Sequence, residues 1–242
     1  IDYSKSGFIY VATSFYDSIN VEGQMYTTSV AGDYDPMVIK MREDGSVVWV
    51  KKFGGPTQEL SNAIATDDSG KFYFSGQFHG GAIFDQDTIN CFGTWGDESS
   101  YLVSCDSSGN VHRARTHGYG ADYYRVNKDG KGGWISSAEQ GLNAMHAKLN
   151  YTNITSAYYG QSNQTGGIDP PKAYGACSDP NGNMFVTGCF DEHFSLSGNG
   201  NSLYVNYPGN RYESYLGVYD NSEVLIGLIN IPNPGYNDAG NA

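Results

Sequence analysis

Apolar and polar positions in this chain alternate over short runs separated by Gly, Asn, Asp and Ser, and nowhere hold a helical period. The runs recur. Ile1–Phe15, Ile64–Phe78 and Ala176–Phe190 align without a gap as strand, tight turn and strand, each turn ending in glycine at Gly7, Gly70 and Gly182. A weaker copy runs from Tyr124 through Gly130 to Trp134 and Ile135. The four marker glycines lie 63, 60 and 52 residues apart. A second pair of runs follows each marker. These pairs are Pro36–Met41 with Val47–Phe53, Tyr101–Cys105 with Val111–Arg115, Met145–Leu149 with Ile154–Tyr159, and Ser214–Tyr219 with Val224–Ile229. Four short strands per repeat predict an all-β chain. One such sheet cannot bury its own apolar face, so successive sheets must stack.

The expected architecture is therefore a four-bladed β-propeller-like array filling one domain over 1–242. Its repeats fall at approximately 7–69, 70–129, 130–181, and 182–242 together with 1–6. The last residues, Asn237–Ala242, match Gln58–Ala63, and the residue after that internal copy is Ile64, where the chain itself opens at Ile1. One strand is thus expected to be split between the N- and C-termini. A ring completes it within one molecule and removes an open sheet edge; the alternative completes it between neighbours, head to tail. The start at Ile1, without a charged-then-apolar leader, reads as a processed or excised segment.

Asp35–Gly55, running on to Ala63–Phe78, resembles the β-propeller repeat of secreted bacterial surface proteins. In that repeat a D-x-F-V-x-K strand pair ending in G-x-x-x-W precedes G-G and then I-A-x-D-x-x-G-N-x-Y-x-x-G-x-F. The match extends to 182–229 and weakens over 121–160; the inserted segments Ser18–Tyr26 and Ala82–Asn90 are similar to the family's hairpins. The third repeat departs from the pattern, keeping only Glu139–Leu142 between its second and third strands. The resemblance implies a propeller displayed outside the cell, often within a larger surface or adhesive protein. It implies no reaction.

Composition narrows the partners. The net charge is -12, and Lys and Arg form no cluster, so a phosphate backbone finds little to hold. No apolar run reaches the ~18 residues of a membrane span. Hydrophobic residues at 39% are too many for a disordered acidic tail. Four cysteines, Cys91, Cys105, Cys177 and Cys189, allow three connectivities. Pairing Cys91 with Cys105 and Cys177 with Cys189 keeps each bridge inside one repeat and suits an oxidising compartment. Zinc is not expected, since no Cys-x-x-Cys occurs. Asn150, Asn153 and Asn163 head glycosylation sequons, all within the divergent third repeat.

Candidate chemistry is sparse. Asp67, Asp106 and Asp179 stand in Asp-rich turns that echo calcium loops, yet hairpin turns demand the same residues. None of His79, His112, His117, His146 and His193 sits in a zinc-protease pattern, and no nucleophile elbow or phosphate loop is present. The acidic pairs Asp97–Glu98 and Asp191–Glu192 read as solvated loops. Trp49 and Trp134 read as core between sheets; Trp95, with Tyr204, Tyr207 and Tyr212 around Pro208–Gly209, offers rings for a sugar or partner. The reading is a non-catalytic extracellular structural or adhesive module without cofactor, meeting copies of itself, other surface proteins or glycans. A carbohydrate-binding propeller and a secreted glycoside hydrolase are the alternatives.

Overall fold

In the computed structural model every regular element is a β-strand. The structure describes residues 1–91, 98–119, 125–129, 133–140, 143–149, 154–161, 171–191, 193–198, 201–206 and 212–231. The first sheet contains β1 (Asp2–Ser4) and β2 (Phe8–Tyr16), then, after a separate hairpin of β3 (Ser18–Val21) and β4 (Gln24–Thr27), β5 (Tyr34–Arg42) and β6 (Val47–Lys52). The second repeats this plan. Strands β7 (Glu59–Thr66) and β8 (Phe72–His79) precede the hairpin β9 (Gly81–Phe84) and β10 (Asp87–Asn90), and β11 (Glu98–Cys105) and β12 (Val111–Tyr119) follow. The third has β13 (Arg125–Lys128), β14 (Trp134–Gln140), β15 (Asn143–Leu149) and β16 (Ile154–Gln161), with Gln140 directly opposite Asn143 and no inserted hairpin. In the fourth, β17 (Lys172–Ser178) and β18 (Met184–Asp191) are followed by the hairpin β19 (His193–Gly198) and β20 (Asn201–Asn206), then β21 (Tyr212–Tyr219) and β22 (Leu225–Ile231). That hairpin joins β16, making the third sheet six-stranded.

All ladders are antiparallel and each sheet is a meander, so the strand count per repeat agrees with the sequence pattern. The boundaries differ. The first, second and fourth sheets start one strand before their marker glycines, because Gly7, Gly70 and Gly182 sit in the turn between the first and second strands rather than between sheets. Tyr204 was expected in an aromatic loop; its backbone belongs to β20.

The turns show why Asp and Gly recur. Asp67 Oδ1 accepts the backbone N–H of Ser69 at 2.8 Å and of Lys71 at 2.9 Å. Asp106 does the same with Ser108 and Asn110, Asp179 with Asn183, and Asp220 with Ser222 and Val224. These carboxylates organise the turn itself, which is the ordinary Asx-turn role rather than a cation loop. Gly70, Gly109 and Gly182 follow at φ of +84°, +81° and +83°, where a side chain would strain the backbone; the fourth turn places Glu223 there at +68°. A second device is shared by two sheets. Tyr101 faces Gly76 across one ladder and Tyr215 faces Gly188 across another, and a β-carbon on either glycine would collide with the tyrosine hydroxyl and a backbone carbonyl.

Three apolar clusters fill three joints between consecutive sheets. Tyr10, Val38 and Phe53 meet Ile64, Phe72, Phe74 and Phe84 between the first and second. Ala65, Tyr73 and Leu102 meet Val126, Trp134 and Leu149 between the second and third. Ile135 meets Ala176, Met184, Val186 and Tyr215 between the third and fourth. Trp134 is buried and Trp49 packs on Tyr10 and Phe72, as their apolar settings imply. Polar ties follow the same order, each involving the first strand of a sheet. Asp2 accepts from the Thr66 N–H at 2.7 Å, Trp134 donates its indole N–H to the Ala65 carbonyl at 2.8 Å, and Asn127 donates to the Ala176 carbonyl at 2.8 Å. Lys128 of β13 also reaches back to β1, lying 3.1 Å from the Asp2 carboxylate and donating to the Tyr3 carbonyl at 2.7 Å. The segment Asn237–Ala242, expected to complete the split strand, lies outside the described residues. Strand β1 covers only Phe8–Tyr10 of β2, whereas β7 runs along β8 from Phe72 to Phe78.

Candidate functional site

The strongest concentration of buried charge lies at the first joint. Asp35 is the second residue of β5 and is 1% exposed; its Oδ2 accepts from the Ser29 N–H at 2.7 Å and from Lys52 Nζ at 2.8 Å. Glu59 opens β7 and is fully buried, with Oε2 accepting the Gly55 N–H at 2.9 Å and Oε1 without a hydrogen-bond partner. The Gly54–Gly55 link between the two sheets passes beside both carboxylates, and a β-carbon at either glycine would run into one of them. Burial, reinforced by the Asp35 charge, pushes the Glu59 carboxyl from 4.5 up to about 8, so it holds its proton at neutral pH. Two carboxyls in such contrasting environments have the form of an acid/base pair. Both are buried in the joint between the sheets. The sequence analysis weighed Asp97–Glu98 and Asp191–Glu192, reading both as solvated loops, and passed over Asp35 and Glu59. The signal for Asp35 was present, since it stands at the Asp position of the repeat motif; Glu59 follows no motif position.

A second buried polar chain crosses the last joint. Ser137 Oγ lies 2.9 Å from His146 Nδ1, and Tyr215 Oη lies 3.0 Å from His146 Nε2 and 3.4 Å from the Lys172 carbonyl. One tautomer satisfies every atom: Ser137 donates to Nδ1, Nε2–H donates to Tyr215, and Tyr215 donates to Lys172. All three side chains are buried, and desolvation lowers the imidazole from 6.5 to about 3, keeping it neutral. A serine beside a histidine has the parts of a nucleophile and base, yet here they are walled in by the sheet interface.

An open cleft of about 480 Å³ lies outside the first joint, lined by Lys51, Asp85, Asp87, Asn110 and His112 among others, with no Phe, Tyr or Trp among its lining residues. Its carboxylates hold the hairpin to β12: Asp85 accepts the Val111 N–H at 2.9 Å and Asp87 the Ala114 N–H at 2.6 Å. An aromatic pair is exposed elsewhere. Tyr16 and Tyr34 are opposite each other across the β2–β5 ladder, with centroids 5.1 Å apart and relative exposures of 55% and 36%. The sequence reading missed this pair because each tyrosine lies at a strand end in an unremarkable polar run.

The disulfides expected within repeats are absent, and all four cysteines are thiols. Cys177 pairs with Phe185, and Cys189 lies four residues further along the same strand, far beyond the Cα separation of ~7 Å that a bridge tolerates. Cys105 faces Phe72 while Cys91 donates to the Phe78 carbonyl at the other end of β8. Spacing suggested proximity, and the ladder register removes it. Trp95, Tyr207, Asn150, Asn153 and Asn163 lie outside the described residues. Tyr212 begins β21, but its side chain, like that of Tyr204, lies outside the described set. Among the described residues no group of three or more His, Cys, Asp or Glu side chains could hold a metal ion, and no helix is long and apolar enough to cross a membrane.

No protein-family model matches the chain, and no curated protein matches it. Solved structures give distant similarities. A protein of unknown function from Bacteroides caccae is 12% identical, over 81% of this chain and 90% of that one, with a TM-score of 0.27. MPT-4, a mannose phosphorylase from Leishmania mexicana in complex with phosphate ion, is 14% identical over 95% of this chain and 70% of its own, with a TM-score of 0.30. Similarity at this level carries no argument for fold or activity.

Proposed function

We propose that the four sheets close into a four-bladed propeller through the split strand at the chain ends, and that it is a non-catalytic structural or adhesive module working outside the cell. The observation that carries the closure is Lys128. It ties the innermost strand of the third sheet to that of the first. Three consecutive sheets therefore bend around one axis instead of extending in a row, and the fourth continues that turn toward the first sheet. The non-catalytic reading rests on where the acid and base groups are. Glu59, Asp35 and His146 are sealed into sheet joints, and the carboxylates of the open cleft hold a hairpin in place. The extracellular setting and the contacts with surface proteins or further copies rest on the resemblance of Asp35–Phe78 to surface-protein repeats.

A second reading, carbohydrate binding, is favoured by one feature, the exposed Tyr16–Tyr34 pair, since amphipathic rings at the surface suit sugar faces. The test is a glycan array run beside a panel of glycoside substrates, each with the native chain, Tyr34→Ala and Glu59→Gln. No turnover and no glycan signal is the expected result. Glycan binding lost in Tyr34→Ala transfers the function to the second reading. Turnover lost in Glu59→Gln defeats the non-catalytic one.

A further inference from the structure

Resting on the closed-ring reading, we infer that the first hairpin is a clasp: the free edge of β3 takes the carboxy-terminal end of β22 from the same chain, apposing Val21 to Ile231. Two filled examples of this joint are present in the molecule. In the second repeat, the first hairpin strand β9 reaches back to the residues just after β6, where Gly54 and Ile83 exchange N–H···O bonds of 3.3 and 3.0 Å. Beside that bridge the Phe53 and Phe84 rings pack with centroids 5.6 Å apart and their planes tilted by 45°, both residues buried. In the fourth repeat, β19 reaches back to the end of β16, pairing Gly160 with Leu196 and Gln161 with Ser195. Each of these two hairpins thus pairs its first strand with the end of the preceding sheet's outermost strand. Its second strand lies over the outermost strand of its own sheet, β10 on β12 and β20 on β22.

The first hairpin is built to the same plan and lacks its partner. Glu22 and Asp85 occupy the same turn position, with φ of +47° and +52°. Glu22 accepts the Val47 N–H of β6 just as Asp85 accepts the Val111 N–H of β12, so the second half of the joint is already made. That equivalence sets Val21 at the place of Phe84 and Asn20 at the place of Ile83. Among the described residues β3 pairs only with β4. The missing half is equally visible. Ile231 stands opposite Ser214 on its ladder as Phe53 follows the pair of Met37 with Lys52, with the Phe53 N–H donating to Pro36. Gly160, opposite Ala144, holds the corresponding place in the third sheet. The position that is buried as Phe53 in one filled joint is 45% exposed as Ile231. Since each sheet joint is the same construction and the array turns about an axis, the edge that continues the series is the chain's own β22.

The test is an engineered disulfide in the full chain, Val21→Cys with Ile231→Cys, in a background carrying Cys177→Ser to remove the exposed thiol. Neighbouring residues across an antiparallel ladder lie within disulfide reach. Mild oxidation at low micromolar concentration should give a monomer of altered mobility on non-reducing electrophoresis, reversed by reductant and missing in either single variant. Disulfide-linked dimers and ladders overturn the inference by assigning the edge to a second copy, and absence of a link overturns it outright. A second measurement needs no variant. The Asn20 amide, placed like the Ile83 amide that donates to Gly54, should exchange with deuterium at least tenfold more slowly than the exposed Met25 side of the hairpin, independently of protein concentration. Fast exchange overturns the clasp. The pair Thr13→Cys with Gly240→Cys probes the split strand separately: a link there without one at Val21 and Ile231 removes the clasp and keeps the ring, and a link at neither removes both.

Discussion

Glu223 shows how a single residue can sit against the grain of a repeated fold. Three equivalent turns place glycine at a left-handed φ, and only the fourth asks a β-carbon to adopt it. Glu223→Gly should therefore raise stability by about 0.5–1 kcal/mol, read as a higher urea midpoint with an unchanged slope. The opposite substitution, Gly76→Ala, drives a methyl into the Leu60 carbonyl and the Tyr101 hydroxyl, and should lower the midpoint through overpacking. Two buried titratable groups give pH signatures of opposite sign. Glu59 has its folded value raised to about 8 from 4.5. The unfolded chain gives up that proton first, so the native state loses stability as pH rises from 4.5 to 8. His146 has its folded value lowered to about 3 from 6.5, so the unfolded chain takes up a proton first as pH falls from 6.5 toward 3, and stability is lost over that range. Thermal unfolding followed across pH should lose the alkaline slope in Glu59→Gln and the acid slope in His146→Gln.

At the scale of elements, the hairpins matter more than their size suggests. They look like insertions between the second and third strands, and two of them, β9–β10 and β19–β20, fasten one sheet to the next. Phe84 comes from a four-residue strand, yet it is fully buried and packs against Phe53, Phe74 and Tyr101. Phe84→Ala should cost about 3–5 kcal/mol, the range for removing a large buried ring, and the loss should appear in chemical denaturation as a shifted midpoint. The outermost strands differ in how they guard their edges. Strand β6 carries Lys51 and Lys52, β12 carries Arg113 and Arg115, and β16 is covered by β19. Strand β22 has no charge along Leu225–Ile231 and exposes Ile226, Ile229 and Ile231. An uncharged, apolar edge is the kind that attracts another strand.

For the whole molecule, a closed ring predicts a compact particle. A chain of this length should have a radius of gyration of about 18 Å, independent of concentration in small-angle scattering. A radius that grows with concentration would mean the open edges of separate molecules find each other. The Lys128–Asp2 pair, which joins the third sheet to the first, is partly solvated, so Lys128→Met should change stability by less than about 1 kcal/mol.

The all-β character, the strands and the turns were legible in the amino-acid order because each is a local property. A period of two needs only neighbouring residues, and an Asx turn needs only an Asp and a glycine three places on, so Phe8–Phe15 and Asp67–Gly70 declare themselves. The joints were not legible. That Cys177 and Cys189 lie apart, that Glu59 faces Gly55 beside Asp35, and that His146 links Ser137 to Tyr215 all depend on ladder register and on which sheet covers which. Those are set by side chains distant in sequence packing face to face, and burial at those faces then decides which groups keep or lose their protons.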